Sequence, residues 1–190
     1  MFKSLYQWAA DLAARKAAIA WLQFFSFIES VFFPVPTDVV LVPVVLKHRE
    51  QALKIAVLTT LFSVLGGAVG YAIGHYGLDL VYPYIEQLHM VDKWDRVVQL
   101  FEQYGVVVII VVGFTPLPYK VVTLVSGATG VGFVLFILTS IVGRFGRFGL
   151  VSWVVYKFGP QAEAMIEKYV EPLGWLVVGL VVAWIGWTYL

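Results

Sequence analysis

Two short segments of this chain carry nearly the same proline-broken pattern inside apolar sequence. The first reads Phe-Phe-Pro-Val-Pro-Thr-Asp-Val-Val at residues 32–40, and the second reads Phe-Thr-Pro-Leu-Pro-Tyr-Lys-Val-Val at residues 114–122, 82 positions later. Proline fixes its own φ and has no amide hydrogen, so each proline pair interrupts any helix that reaches it. Paired interruptions in corresponding places of two apolar halves are typical of membrane transporters, whose binding sites lie at such breaks.

The composition predicts an integral membrane protein. Hydrophobic residues make up 61% of the 190 residues and charged residues only 13%, which is more apolar surface than one water-soluble core would bury. The net charge of +1 offers no basic face for nucleic acid. The chain has no cysteine and no histidine cluster with metal-ligand spacing, and no nucleophile stands in motif spacing with a base. We therefore predict no cofactor, no metal site and no enzymatic activity.

The length of the apolar segments predicts a re-entrant hairpin at each proline break. After the first break, residues 39–46 are apolar and are followed by the charged residues 47–50. Eight helical residues reach only ~12 Å, less than half the hydrocarbon thickness of a bilayer. A helix would therefore enter the membrane, break at Pro34 and Pro36, and return as a half-helix. The second break, at Pro116 and Pro118, predicts the same path for residues 105–130.

The predicted fold is an all-α integral membrane protein built as an inverted repeat. Each repeat is a re-entrant hairpin followed by one transmembrane helix, so it crosses the membrane an odd number of times and the second repeat is inverted. The predicted bounds are an interfacial helix at 1–16, repeat 1 at 17–78 (hairpin 17–46, transmembrane helix 55–78), an amphipathic connector at 79–104, repeat 2 at 105–158 (hairpin 105–130, transmembrane helix 131–158) and an additional C-terminal transmembrane helix at 172–190.

The distribution of basic residues predicts the orientation. In this topology most lysines and arginines of the connectors fall on the side of the N-terminus, which the positive-inside rule places in the cytoplasm. If residues 17–46 crossed the membrane fully, the excess would lie on the same side. The hairpin prediction therefore depends on segment length and proline chemistry alone.

Five ionisable residues lie inside the predicted apolar segments, away from helix ends: Glu29, Asp38, Lys120, Arg144 and Arg147. Placing one charge in hydrocarbon costs about 3 kcal/mol on insertion scales, so each should be paired, hydrated or functional. The acids belong to the first repeat and the bases to the second. This separation favours a site with a proton-titratable end and an anion-binding end; a structural ion-pair cluster is the alternative.

The two acids have different predicted roles. Glu29 lies among Phe27, Phe32 and Phe33, where desolvation disfavours the ionised carboxylate, so it is the better candidate for proton coupling. Asp38 stands at the predicted start of the returning half-helix. It is a candidate both for N-capping and for proton coupling, and the two roles are compatible.

The three bases predict an anion site. Arg144 and Arg147 are three residues apart and so share one helical face, and two guanidinium groups at this spacing match a phosphate. Lys120 on the opposing break adds a third cation, and free backbone amides beyond Pro118 favour an anion too. The alternative is that the arginines only pair with the two acids.

Glycines at four-residue intervals predict helix packing. Gly66, Gly70 and Gly74 lie in the predicted transmembrane helix at 55–78. Small residues at this spacing let another helix approach closely in a membrane, so we assign them to packing rather than to ligand binding.

The ordered set of motifs resembles a known family. It consists of Phe-Ile-Glu at 27–29, Pro-Val-Pro-Thr-Asp at 34–38, Gly-Ala-Val-Gly-Tyr-Ala-Ile-Gly at 67–74, Phe-Thr-Pro-Leu-Pro-Tyr-Lys at 114–120 and Ser-Gly at 126–127. Over about residues 24–160 this set is similar to the DedA family, also called the SNARE-associated or VTT-domain family. The resemblance implies a bacterial inner-membrane protein with paired re-entrant hairpins. It also implies movement of lipids between leaflets, including undecaprenyl phosphate, with dependence on the proton gradient.

The family's functional residues match this chain only in part. Glu29 and Asp38 match its functional acids. Where the family often has two arginines around the second break, this chain has Gly113 and Lys120, a pattern similar to the YqaA-like branch. We predict that Lys120, helped by the two arginines of the following helix, replaces those arginines.

The predicted function is transport of a phosphate-headed lipid across the bacterial inner membrane, coupled to protons. Glu29 and Asp38 exchange protons while Lys120, Arg144 and Arg147 hold the head group. The alternatives are a proton- or ion-coupled transporter of a small polar solute and a non-transporting membrane scaffold. The predicted partners are a membrane lipid and protons, without nucleic acid, and the sequence leaves a homo-oligomer open.

Overall fold

The computed structural model describes residues 17–31, 36–89, 91–115 and 117–162, with a few isolated positions nearer the ends. Within these residues the protein is all-helical and has no β-strand, which confirms the predicted all-α class. The predicted helices at 1–16 and 172–190 lie almost wholly outside the described residues, as do Pro34 and Pro116. The described α-helices are α1 (Ala18–Val31), α2 (Asp38–Lys47), α3 (Ala52–Gln87), α4 (Val91–Phe114), α5 (Tyr119–Ala128) and α6 (Phe133–Phe158), with 3-10 turns at Arg49–Gln51 and Gly159–Gln161.

In the part of the chain that the structure describes, three stretches are long and apolar enough to cross a membrane: Arg49–Leu80, Trp94–Phe114 and Phe133–Gln161. They belong to α3, α4 and α6, so the chain is a multi-pass membrane protein. Three of the four helices next to the proline breaks are shorter, whereas α4, which ends just before the second break, is one of the membrane-length helices. α1 has 14 residues, and α2 and α5 have 10 each, which corresponds to ~21 Å and ~15 Å against a hydrocarbon thickness of ~30 Å.

Two helices run beyond their predicted bounds. α3 continues to Gln87 and α4 begins at Val91, so together they take up most of the segment predicted as a connector at 79–104. Acids of this segment, such as Glu86 and Glu102, are exposed. An amphipathic segment can continue a helix when its polar side chains face outward, and charge content alone does not mark where such a helix ends.

The long helices hold the short helices in place. α3 packs against α1, α5 and α6, while α6 also packs against α2 and α4. One buried apolar cluster joins α1, α2, the start of α3 and the end of α6, and it includes Leu22, Leu41 and Ile55. A second buried cluster, around Ile109, Tyr119 and Phe136, joins α4, α5 and the start of α6. Each short helix that follows a break therefore lies against the long helix of the other half.

Glycines allow α3 to approach its neighbours at backbone distance. A Cβ atom added to Gly66 would lie 2.2 Å from the carbonyl oxygen of Phe27 in α1. On Gly70 it would lie 2.3 Å from Thr123 Oγ1, and on Gly74 it would lie 2.0 Å from the carbonyl oxygen of Leu124, both in α5. Gly127 of α5, which is not part of the four-residue pattern, meets the backbone of α3 in the same way.

Replacement of Gly74 by alanine is expected to lower the free energy of unfolding by about 1–3 kcal/mol, because the methyl group would collide with backbone and force α3 and α5 apart. Gly77→Ala is the matched control on the same helix, since none of the described neighbouring residues lies within 4 Å of a Cβ atom there. The control should be neutral or stabilise the helix by up to about 1 kcal/mol. Unfolding in detergent measures both, and equal stability of the two variants would contradict the close approach.

Candidate functional site

The two proline breaks meet at one cavity. α1 ends at Val31 and α2 begins at Asp38, while α4 ends at Phe114 and α5 begins at Tyr119. Residues from both interruptions line a cavity of about 130 Å³, which has room for several water molecules. Pro36 and Pro118, the two described prolines of the breaks, belong to its lining.

All five ionisable residues singled out in the apolar sequence line this cavity: Glu29, Asp38, Lys120, Arg144 and Arg147. The acids come from α1 and α2 in the first half, and the bases come from α5 and α6 in the second. Three bases and two acids give the described part of the lining a formal excess of one positive charge. The structure therefore brings together every ionisable residue predicted for the site.

Glu29 and Arg144 form an ion pair between the two halves. The distance from Arg144 Nη2 to Glu29 Oε2 is 2.8 Å, and the side chains are 5% and 17% exposed, respectively. Arg144 Nε also donates a hydrogen bond of 2.6 Å to Ser63 Oγ on α3. Thr37 Oγ1 donates one of 3.3 Å to Glu29 Oε2. Several bonds thus fix the buried guanidinium and its carboxylate in one geometry.

Aromatic rings also hold the Arg144 guanidinium. Its central carbon lies 4.8 Å from the centroid of the Tyr119 ring and 4.5 Å from that of the Phe148 ring. Both aromatic side chains are almost fully buried. A guanidinium is planar and weakly hydrated, so it packs on aromatic faces at lower cost than a lysine ammonium group would.

Asp38 and Arg147 form the second ion pair. Arg147 Nε donates to Asp38 Oδ2 at 2.9 Å, and Arg147 Nη2 donates to the same oxygen. Arg147 Nη1 reaches the carbonyl oxygen of Phe114 at 3.4 Å, which ties this pair to the second break. The other carboxylate oxygen, Oδ1, is buried and accepts no hydrogen bond within the described part of the chain.

The structure does not give Asp38 the capping role that its position suggested. Thr37 is the N-cap of α2 and Asp38 is the first helical residue. The carboxylate instead bonds to Arg147, although its negative charge at the start of α2 still interacts favourably with the helix dipole. A position directly before a helix and one directly inside it differ by a single residue, which sequence patterns rarely resolve.

Sequence reasoning missed the uncharged residues that hold Arg144. Ser63, Tyr119 and Phe148 carry no formal charge, so a search for costly charges in lipid passes over them. Ser63 did carry a weak signal, because it lies three and seven residues before Gly66 and Gly70 on the face of α3 that approaches its neighbours. Tyr119 adjoins Lys120 in the second break, and only the fold shows that its ring lies over Arg144.

Comparisons with known proteins give one family description and two similar proteins of uncharacterized function. The family description "VTT domain" matches residues 33–157, which include both proline breaks and both arginines. An uncharacterized protein of Haemophilus influenzae is 40% identical over 182 residues, covering 96% of this chain and 95% of its own length. An uncharacterized protein of Histophilus somni is 35% identical over 178 residues, covering 94% and 93%. No solved structure matches the chain. These matches do not separate branches of the family, so the YqaA-like branch stays a prediction.

Proposed function

Because this chain belongs to the VTT-domain family of membrane proteins, we propose that it moves a phosphate-headed lipid across the bilayer together with protons. The observation that carries the proposal is the composition of the central cavity, defined as the cavity lined by the five ionisable residues. It holds two acid–base pairs, each formed between the two halves, and a further base at Lys120.

Proton uptake and anion binding would favour one another in this cavity. As long as Glu29 and Asp38 are ionised, each neutralises one arginine. A proton taken up by either carboxylate removes its charge and leaves a guanidinium buried without a counter-ion, which is unfavourable in a poorly solvated site. A phosphate oxygen can then replace the carboxylate, because both present the same acceptor geometry to a guanidinium. Lipid phosphate and protons would therefore move in the same direction.

The size of the central cavity fits a head group rather than a whole lipid. A volume of about 130 Å³ can take a phosphate group with some water, while the tail stays among the acyl chains of the bilayer. A lipid with its phosphate at the end of a long chain, such as undecaprenyl phosphate, or a phospholipid suits this division.

The packing of the short helices supports the inverted repeat with re-entrant hairpins. In each half the first helix packs on the third, α1 on α3 and α4 on α6. Each short helix then packs on the long helix of the other half, α2 on α6 and α5 on α3. Reciprocal packing of this kind, in which each half places its short helix on the long helix of the other half, is what two halves related by a two-fold axis would produce. Rocking of the halves about the central cavity would open it to one side of the membrane at a time.

The proposed setting is the bacterial inner membrane with the N-terminus in the cytoplasm. It is supported by the excess of basic residues in the connectors on the side of the N-terminus.

A vesicle experiment tests the proposed function. Purified protein is placed in vesicles with a labelled lipid phosphate, and the exposure of the label on each leaflet is followed with and without a pH gradient. We expect the wild type to transfer the lipid faster when the gradient is imposed. Glu29→Gln should lose this dependence, because an amide does not titrate, and Lys120→Met should slow transfer at every pH.

Glu86→Gln is the matched control, since it removes an exposed acid outside the candidate span. It should transfer lipid as the wild type does. Unchanged lipid exposure with wild-type protein, together with an ion flux that Glu29→Gln abolishes, would instead favour the transporter of a small polar solute.

A further inference from the structure

A second groove lies between the start of α3 and the end of α6. It has a volume of about 360 Å³ and shares no described lining residue with the central cavity. Leu53 lies on the α3 side, and Gly149, Trp153 and Tyr156 lie on the α6 side. The function proposed above makes no use of this groove.

The groove lies where the membrane-crossing stretches end. One stretch begins at Arg49, in the 3-10 turn before α3, and another ends at Gln161, in the 3-10 turn after α6. Large side chains along the groove stay open to the outside of the protein: Leu53 is 71% exposed, Trp153 is 53% exposed and Tyr156 is 55% exposed. Tryptophan and tyrosine at span ends are typical of the depth at which lipid head groups meet acyl chains. An apolar groove at this depth is open to lipid.

Basic groups lie at the rim. The Arg49 guanidinium donates to the carbonyl oxygen of Tyr156 and lies against Gly159, so it is held at the end of α6. The Lys157 ammonium lies 5.1 Å from the centroid of the Trp153 ring. Among the described lining residues the charges of Arg49 and Glu50 cancel, so the excess of one positive charge at this end of the groove comes from Lys157, which lies over the ring of the lining residue Trp153.

Ser152 of the groove lining has a buried hydroxyl group without a hydrogen-bond partner among the described residues. Ser152 is 2% exposed and belongs to the lining, and its Oγ makes no hydrogen bond to any part of the chain that the structure describes. Buried hydroxyls are nearly always hydrogen-bonded, so this one calls for an acceptor or a donor that the described protein does not supply. An ester carbonyl of a glycerolipid is an acceptor found at this depth of a membrane.

We infer that this groove binds an anionic glycerophospholipid that stays with the protein, separately from the lipid transported through the central cavity. Its phosphate lies beside Arg49 and Lys157, an ester carbonyl accepts the hydrogen bond of Ser152 Oγ, and an acyl chain follows the apolar wall between Leu53 and Trp153. Bound there, the lipid bridges the ends of α3 and α6, the long helices of the two halves.

A photo-cross-linking experiment on the full-length protein tests this inference. The probe is phosphatidylglycerol with a diazirine in its acyl chain, in vesicles of phosphatidylethanolamine, and the labelled peptides are mapped by mass spectrometry. We expect label on residues 49–57 and 149–157, reduced at least tenfold by excess unlabelled phosphatidylglycerol. Excess diacylglycerol, which has no phosphate, should leave the label in place.

Gly149→Leu fills the groove without removing a charged group. A Cβ atom at Gly149 makes only ordinary contacts, the nearest 3.7 Å from the Phe145 ring, so the helix should tolerate it. We expect at least a tenfold loss of label in this variant. Gly77→Leu, which adds the same side chain to open space on α3, should keep the wild-type label. Ser152→Ala should lower the competition by phosphatidylglycerol without blocking the groove.

Three results would overturn the inference. The first is equal labelling of wild type and Gly149→Leu. The second is equal competition by diacylglycerol and phosphatidylglycerol, which would mean that the anionic head group is not recognised. The third is a cross-link between the groove and the apolar segment at 173–190, which would make this chain itself the occupant. Photo-labelling of the groove should be unchanged in Glu29→Gln. Failure of lipid transport through the central cavity can therefore be told apart from failure of the groove site.

Discussion

Replacement of Arg144 by methionine is expected to cost about 3–5 kcal/mol of stability, the usual effect of removing one partner from a buried ion pair. The variant leaves the Glu29 carboxylate, 17% exposed, without its counter-ion. It also removes the donor to Ser63 Oγ and the cation between the Tyr119 and Phe148 rings. Denaturant unfolding of the purified protein in detergent measures the loss.

The double variant Glu29→Gln with Arg144→Met is the control for this prediction. It removes both charges while keeping the side chains close to their original size. Replacing a whole buried pair by neutral groups is often nearly neutral, so most of the lost stability should return. If Arg144→Met unfolds at the wild-type denaturant concentration, the pair contributes little and the site is more hydrated than its burial indicates.

Exchange of the charges of Asp38 and Arg147 is expected to separate stability from transport. Asp38→Arg and Arg147→Asp alone each place like charges together in the central cavity and should both destabilise the protein and stop transport. The double variant restores an opposite-charge pair, so its stability should recover in large part. Its lipid transfer should stay at least about 30-fold below wild type, since the loss of one buried charge contact to an anion costs about 2 kcal/mol or more.

The charge exchange also tests the scaffold alternative. In a scaffold the pairs serve only to hold the two halves together, so an exchanged pair should perform as well as the original. Recovery of both stability and lipid transfer in the double variant would therefore refute the proposed role of Arg147 in head-group binding. Unfolding in detergent and the vesicle assay, performed on the same preparations, give the two readouts.

The location of the site was predictable from the sequence because of the cost of charge in lipid. A carboxylate or guanidinium inside an apolar segment is unfavourable unless it is paired or hydrated. This cost alone singles out Glu29, Asp38, Lys120, Arg144 and Arg147, and all five line the central cavity. Their roles in proton coupling and head-group binding stay predictions. The glycines of α3 were predictable for a similar reason, since small residues at four-residue spacing have few uses in a membrane other than close packing.

The pairing within the site was not predictable. Nothing local to Glu29 favours Arg144 over Arg147, and the two arginines lie on the same helical face. The choice follows from how α1 and α2 lie on α6, and from Ser63 and two aromatic rings that hold one guanidinium in place. These are contacts between residues far apart in the chain, and uncharged residues give no signal when a sequence is searched for charges.

The chain by itself determined the class of protein, the two breaks and the charges that needed partners, because these depend on local chemistry: a closely spaced pair of prolines interrupts a helix, and lipid does not solvate an ion. Only the tertiary structure decided which carboxylate meets which guanidinium, how far α3 and α4 extend, and that an apolar groove with a buried hydroxyl lies between the start of α3 and the end of α6. Those features depend on the packing of helices from the two halves against each other, and packing is set by the shapes of many side chains acting together.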